Sequence, residues 1–202
     1  NHMDMSPDKP HPIYRDEYGF KVFNLYRGNA PSPETSRAAA GPETYLEHLS
    51  YIYGSQEKLD HALQWMAHLL YRPEKRINHG LILTGRHRTG KSTIARVLTK
   101  LIGSAHRTIS PELFTSNFQD WFLNIRLCIV EEMKERGGYS SYNKIKQYVT
   151  EPEITINPKG KTLFSLRNHV HFMIFSNHRN PLHLEPGDLR FHYVESPATR
   201  KE

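Results

Sequence analysis

The chain has 202 residues, enough for one sizeable core with a small satellite segment. Its 27 Lys and Arg against 21 Asp and Glu give a formal charge of +6, which favours polyanionic partners, nucleic acid first, and also serves ordinary solubility. A single cysteine, Cys128, excludes an intrachain disulfide and fits a reducing, cytoplasmic setting; no apolar run approaches the roughly 20 residues that span a bilayer, so no membrane partner is expected.

Asn1-His2-Met3 reads as a cloning scar and is set aside. Residues 4–42, rich in Pro, Gly, Ser and Ala, read as an N-terminal extension, the start of a piece cut from a longer protein. Within it Gly19–Gly28 alternates as a short strand, and residues 29–43 read as a loop. Residues 43–78 form a helical segment. There Leu59, Ala62, Leu63, Met66, Leu69 and Leu70 fall on one face, Ser55 is placed to cap, and Pro73 stops the helix.

The remainder, residues 79–202, reads as an α/β core in which apolar strands alternate with helices. Gly80–Thr84 is a buried strand and Lys91–Ile102 a helix. Pro111–Asn124 is mixed, Arg126–Val130 is a short apolar strand, and 133–142 is a polar loop before a helix over Tyr142–Val149. "EITINPKGKTLFSL" reads as two strands about a turn at Asn157–Gly160. "HVHFMIFSN" is another buried strand, and "LRFHYVE" the last. The pattern predicts a central, mainly parallel sheet with helices on both sides.

Between the first core strand and its helix stands Gly85-Arg86-His87-Arg88-Thr89-Gly90-Lys91-Ser92, followed by Thr93. This satisfies G-x-x-x-x-G-K-[ST] in the strand–loop–helix setting that the motif needs. Glycines let backbone N–H groups turn inward around phosphate oxygens, and the helix N-terminus adds partial positive charge. Lys91 is placed for the β- and γ-phosphates of ATP, and the Ser92 hydroxyl for Mg²⁺. Arg86, His87 and Arg88 either help hold the triphosphate or stand solvated.

"RLCIVEE" then puts two acids at the end of a strand. By position Glu131 is the metal-side acid, completing the Mg²⁺ site with Ser92, and Glu132 the general base for an attacking water. A paired acid argues for hydrolysis. A P-loop kinase of a small molecule would need a base for its substrate hydroxyl and usually a lid with several arginines, and no lid segment is evident. "FMIFSN" ends in Asn177, which resembles the polar residue that ATPases of the AAA+ kind use to orient water at the γ-phosphate, able both to donate and to accept, and which alone reads as a turn residue. "EPGDLRF" offers Arg190, an arginine for transition-state charge across a subunit interface or a surface partner of Asp188. Thirteen histidines come without a Cys-x-x-Cys or H-E-x-x-H pattern, so no structural zinc is expected.

The series of phosphate loop, paired acids, basic hairpin and Ser-Asn strand resembles the superfamily-three helicase domain of viral and mobile-element replication proteins. "FNLYRG", "KIKQYVTEPEITINPKGK", "FSNHRNPLHLEPGDLRF" and the helix ending in "LLYRP" are similar to phage and poxvirus-type primase–helicases, over roughly residues 19 to 195. The resemblance implies an AAA+-like P-loop NTPase, a homo-hexameric ring with ATP between subunits, and single-stranded DNA drawn through the centre. It implies that Lys159 and Lys161, on a glycine turn, meet that DNA, and that a primase–polymerase domain is linked in the whole protein. It places the protein in the host cytoplasm. Where the family often has two adjacent arginines this chain has Leu189-Arg190, so Arg190 or Arg179 is the finger.

Three functions compete: an ATP-dependent DNA helicase motor, a small-molecule kinase, and a nucleotide-gated DNA-binding or assembly module without turnover. For the hairpin, Lys159→Ala with Lys161→Ala is expected to weaken single-strand binding. The slope of log affinity against log salt should flatten by about 0.7 for each phosphate that is no longer neutralised. Titrations at several salt concentrations check this, and an unchanged slope removes both lysines from the DNA path.

Overall fold

The computed structural model describes residues 2–4, 9, 11–24, 42–134, 138–182, 184–185 and 187–199. Positions 29–41 of the expected loop, the strand reading beyond Asn24, and positions 135–137 of the expected polar loop lie outside these residues.

Ahead of the core, strands β1 (His2–Asp4), β2 (Ile13–Arg15) and β3 (Lys21–Asn24) form a small sheet in the order β1-β3-β2. His2 and Met3, read as part of a cloning scar, therefore pair in parallel with Val22 and Phe23, and Asp4 pairs with Asn24. Two helices follow, α1 (Glu43–Tyr53) and α2 (Gln56–Tyr71). Ser55 caps α2 as expected, its Oγ accepting the Lys58 N–H at 3.3 Å, and the helix ends ahead of Pro73.

The core sheet comprises β4 (Gly80–Thr84), β5 (His106–Ile109), β6 (Leu127–Val130), β9 (His171–Ser176) and β10 (Phe191–Glu195), in the order β10-β4-β9-β6-β5. Every neighbouring pair is parallel. β4, β6 and β9 are buried along their whole lengths, which is why they read as unbroken apolar runs. Alternate residues still separate two cores. Ile82, Cys128, Val130, Phe172 and Ile174 pack with Phe114, Trp121, Tyr142 and Tyr148. Leu81, Leu83, Leu127, Ile129, Met173 and Phe175 pack with Leu49, Ile52, Trp65, Leu69, Ile94 and Leu98. Helices α1, α2 and α3 (Lys91–Ile102) thus cover one face, and α4 (Pro111–Phe114) and α5 (Gly138–Thr150) the other. The α/β fold with a parallel sheet flanked by helices is as read from the sequence, and the sheet proves to have five strands.

Two details differ. β5 went unread because it is an edge strand in which only Ile109 is buried. The fifth helix starts at Gly138, inside the segment read as a loop. The expected hairpin is present as β7 (Glu153–Ile156) against β8 (Phe164–Arg167), antiparallel. No helix among the described residues is long and apolar enough to cross a membrane.

His171, at the start of β9, is neutral by construction. Its Nδ1 donates to the Arg126 carbonyl at 3.2 Å while its Nε2 accepts the Ile77 N–H at 3.1 Å, so a second proton would cost an acceptor. Burial, aided by the Arg126 charge, pushes its pKa down to about 3. On β10, His192 stacks 3.9 Å from His61, which meets His79 at 3.0 Å between Nε2 atoms. Burial and these neighbours push His192 down to about 4. Both groups therefore bind protons more weakly folded than unfolded, where a histidine titrates near about 6.5. Stability is complete above that value and falls as pH drops through the window toward 4, by at most about 1.4 kcal/mol per pH unit for each such proton. The melting temperature is expected to fall between pH 7 and pH 4.5, with a shallower fall for His192→Gln, as followed by circular dichroism.

Candidate functional site

Three neighbouring strands, β4, β9 and β6, end together at one edge of the sheet, and the residues after each of them meet there. In doubly wound sheets this carboxyl edge is open, because the crossover connections leave it uncovered.

After β4 the chain enters the Gly85–Gly90 loop. Gly85 has φ 149°, and a Cβ there would stand 2.9 Å from Ser196 Cβ. Gly90 has φ 90°, and a Cβ there would stand 2.6 Å from His48 Cε1. Both positions thus need glycine for space as well as for conformation. Between them Arg88 adopts φ 59°, the left-handed region that an arginine enters at a cost of about 1–2 kcal/mol. Arg86, His87 and Arg88 are exposed.

Gly90 begins α3, and Lys91 is its first residue. The Lys91 side chain is only 7% exposed. Its Nζ donates to the carbonyls of Gly85 at 2.9 Å and Arg86 at 2.6 Å, and to Asn177 Oδ1 at 3.0 Å. Burial lowers its pKa below the ordinary lysine value. Asn177 follows β9, the strand between β4 and β6, so the asparagine of the Ser-Asn strand lies against the loop lysine.

Glu131 and Glu132 follow β6. The turn that carries them is tied to β9: Met133 N–H donates to the Phe175 carbonyl at 3.0 Å, and Ser176 Oγ to the Met133 carbonyl at 2.5 Å. Glu132 has φ 56°, a second non-glycine residue in the left-handed region. Such strain collects where surrounding structure over-determines the backbone. Glu131, Glu132, Asn177, Lys91, Ser92 and Arg96 share one cleft of about 470 Å³, which residues 87–90 and Thr93 also line. The two acids also line a second cavity of about 540 Å³, with Thr108, Ser110, Glu112, Thr115 and Lys134 among others.

Four expected residues lie elsewhere. Arg190 pairs with Asp188 at 3.0 Å and does not line the cleft. Arg179 pairs with Glu195 at 2.8 Å and is exposed. Lys159 and Lys161 are exposed at the β7–β8 turn, which is held from below. Asn157 N–H donates to Gln119 Oε1 at 3.1 Å, and Lys159 N–H to Asp120 Oδ2 at 3.2 Å. Three residues at the site went unread. Arg96 sits one helical turn past Ser92, a spacing visible in the sequence. His48 and Ser196 come from α1 and from just beyond β10, and no local pattern joins them to the loop.

Residues 83–190, more than half of the chain, match DUF5906, described as a family of unknown function. Over 201 residues, 97% of its length, the chain is 24% identical to the DNA primase-polymerase of Nitratiruptor phage NrS-1 and spans 27% of that protein. A structure of the NrS-1 C-terminal region in its apo form superposes with a TM-score of 0.82 at 23% identity, covering 97% of this chain and 47% of that one. A second apo form gives 0.79 at 23% identity, covering 96% and 46%. At these identities the structural likeness speaks for the fold. The chain belongs to the DUF5906 family and is homologous to the C-terminal region of the NrS-1 phage primase-polymerase.

Proposed function

We propose that this chain is the ATP-dependent motor domain of a phage-type replication protein, a DNA helicase of the AAA+-like superfamily-three kind. One observation carries the reading: a buried lysine, a paired acid and a polar strand-end residue converge in one cleft, from three adjacent parallel strands. The donor set suits the ligands. Loop and helix N–H groups with Lys91 suit phosphate oxygens, and the Ser92 hydroxyl with the Glu131 carboxylate suits a hard cation such as Mg²⁺. When bound, Mg²⁺ neutralises charge on the phosphates.

The residues divide the work. Lys91 exchanges its carbonyl partners for phosphate oxygens, whose negative charge offsets the burial that lowers its pKa. Glu132 accepts a proton from the attacking water, and Asn177, already at Lys91, orients that water. Arg190 or Arg179, both away from the cleft of their own chain, reach the cleft of a neighbouring copy in a homo-hexamer. Lys159 and Lys161 carry the resulting motion to single-stranded DNA through phosphate contacts that are blind to sequence. The relative's name supports a place in DNA replication beside a primase–polymerase domain; the setting that goes with this reading is the cytoplasm of the infected host.

The second cavity favours one other reading, phosphoryl transfer to a small acceptor held beyond the acids. A nucleotide-gated module that binds without turnover is the third. Hydrolysis of ATP by the full-length protein, with and without single-stranded DNA, separates them. DNA stimulation is expected, with a loss of about a hundredfold or more in Lys91→Ala, the scale of losing a pre-organised charge contact. Undiminished hydrolysis in that variant sinks the motor reading, labelled phosphate on a small acceptor supports the kinase, and binding without turnover supports the module.

A further inference from the structure

The glycine loop is braced from behind by elements that the motor reading leaves unused. On α1, Tyr45, His48 and Ile52 fall at i, i+3 and i+7 and so share one face. Each makes a polar tie at or beside the loop. Tyr45 Oη donates to the Ile94 carbonyl of α3 at 3.3 Å. The Ile52 carbonyl accepts from Ser196 Oγ at 2.6 Å, and Ser196 in turn packs on Gly85 and donates its N–H to the Thr84 carbonyl at 2.8 Å. His48 Nε2 lies 2.9 Å from the Gly90 carbonyl, an acceptor only, so the ring nitrogen carries the proton and donates.

The peptide that His48 grips is the one joining Gly90 to Lys91. Its carbonyl points to His48 and its N–H belongs to the first residue of α3, one of the four donors that a helix N-terminus leaves free. A hydrogen bond on the carbonyl side polarises the peptide and fixes its plane, so the Lys91 N–H becomes a stronger donor aimed in one direction. The brace also holds the loop against its own strain, since Arg88 beside it sits in the left-handed region.

We infer that His48 is a positioning residue for nucleotide binding, which pre-forms the phosphate loop by hydrogen-bonding the Gly90 carbonyl and couples the α1–α2 hairpin to the nucleotide. The assignment rests on the nucleotide reading above. It makes α1 part of the site without touching the ligand. By linkage, nucleotide then stabilises the docking of α1 as much as docked α1 strengthens nucleotide binding.

The test compares His48→Ala with His48→Gln, whose side-chain amide keeps a donor. Titration of the full chain with a fluorescent ADP analogue and Mg²⁺ should show binding weakened about five- to tenfold in His48→Ala, the scale of removing one hydrogen bond. His48→Gln should stay within about twofold of the unsubstituted protein. In ATP hydrolysis the loss should fall on KM while kcat changes little. Amide exchange of the free protein over residues 88–93 should quicken in His48→Ala and recover in His48→Gln. If the alanine variant does not fold, His48→Phe, which keeps a ring and lacks the donor, takes its place. Unchanged affinity and exchange in the variant without a donor overturn the inference, as does equal weakening in His48→Gln. If the unsubstituted chain binds no ADP, the nucleotide reading and the ligand half of this inference both fall. The exchange experiment then still decides whether His48 holds the loop.

Discussion

Burying an ammonium group costs several kcal/mol unless acceptors meet it, and the site is organised around meeting that cost at Lys91. Two of its acceptors are carbonyls of the loop, and the third is the amide oxygen of Asn177. The loop must therefore fold back over its own helix, and the end of β9 must lie against it. That second condition holds only because β9 is the strand beside β4 in the sheet. One side chain thus ties the loop, the helix start and the neighbouring strand together.

The sheet supplies the rigidity this arrangement needs. With β4, β6 and β9 buried along both faces, the register between them is fixed by two cores at once. A slip of one residue would exchange the side chains of the two cores. The acids inherit that precision, since their turn bonds to β9 through Met133 and Ser176. The hairpin with Lys159 and Lys161 is likewise held, through Gln119 and Asp120, by the segment just before β6.

Charge is distributed to match. The exposed Arg86, His87 and Arg88 crowd the loop, Arg96 adds a cation at the cleft, and the acids stand across from them. Two non-glycine residues in left-handed conformation, Arg88 and Glu132, belong to the same cleft, so local propensity yields to site geometry on both walls.

Where local chemistry decides, the sequence alone determined the outcome. The bounds of β4 and α3, the Ser55 cap, the β7–β8 turn, the place of Lys91 at the start of α3 and that of Glu131, Glu132 and Asn177 just past strand ends all follow from periodicity, turn residues and motif spacing. Edge strand β5 escaped because a strand with one buried residue leaves little pattern. Only the tertiary structure decided that His48 and Ser196 back the loop, that Asn177 meets Lys91, and that Arg190 turns to Asp188 and away from its own cleft. The physical reason is reach. Propensity and spacing act within a turn or a strand. These contacts join residues far apart in the chain, as His48 and Gly90 or Lys91 and Asn177 are, or choose among partners, through strand order and packing that no short window contains.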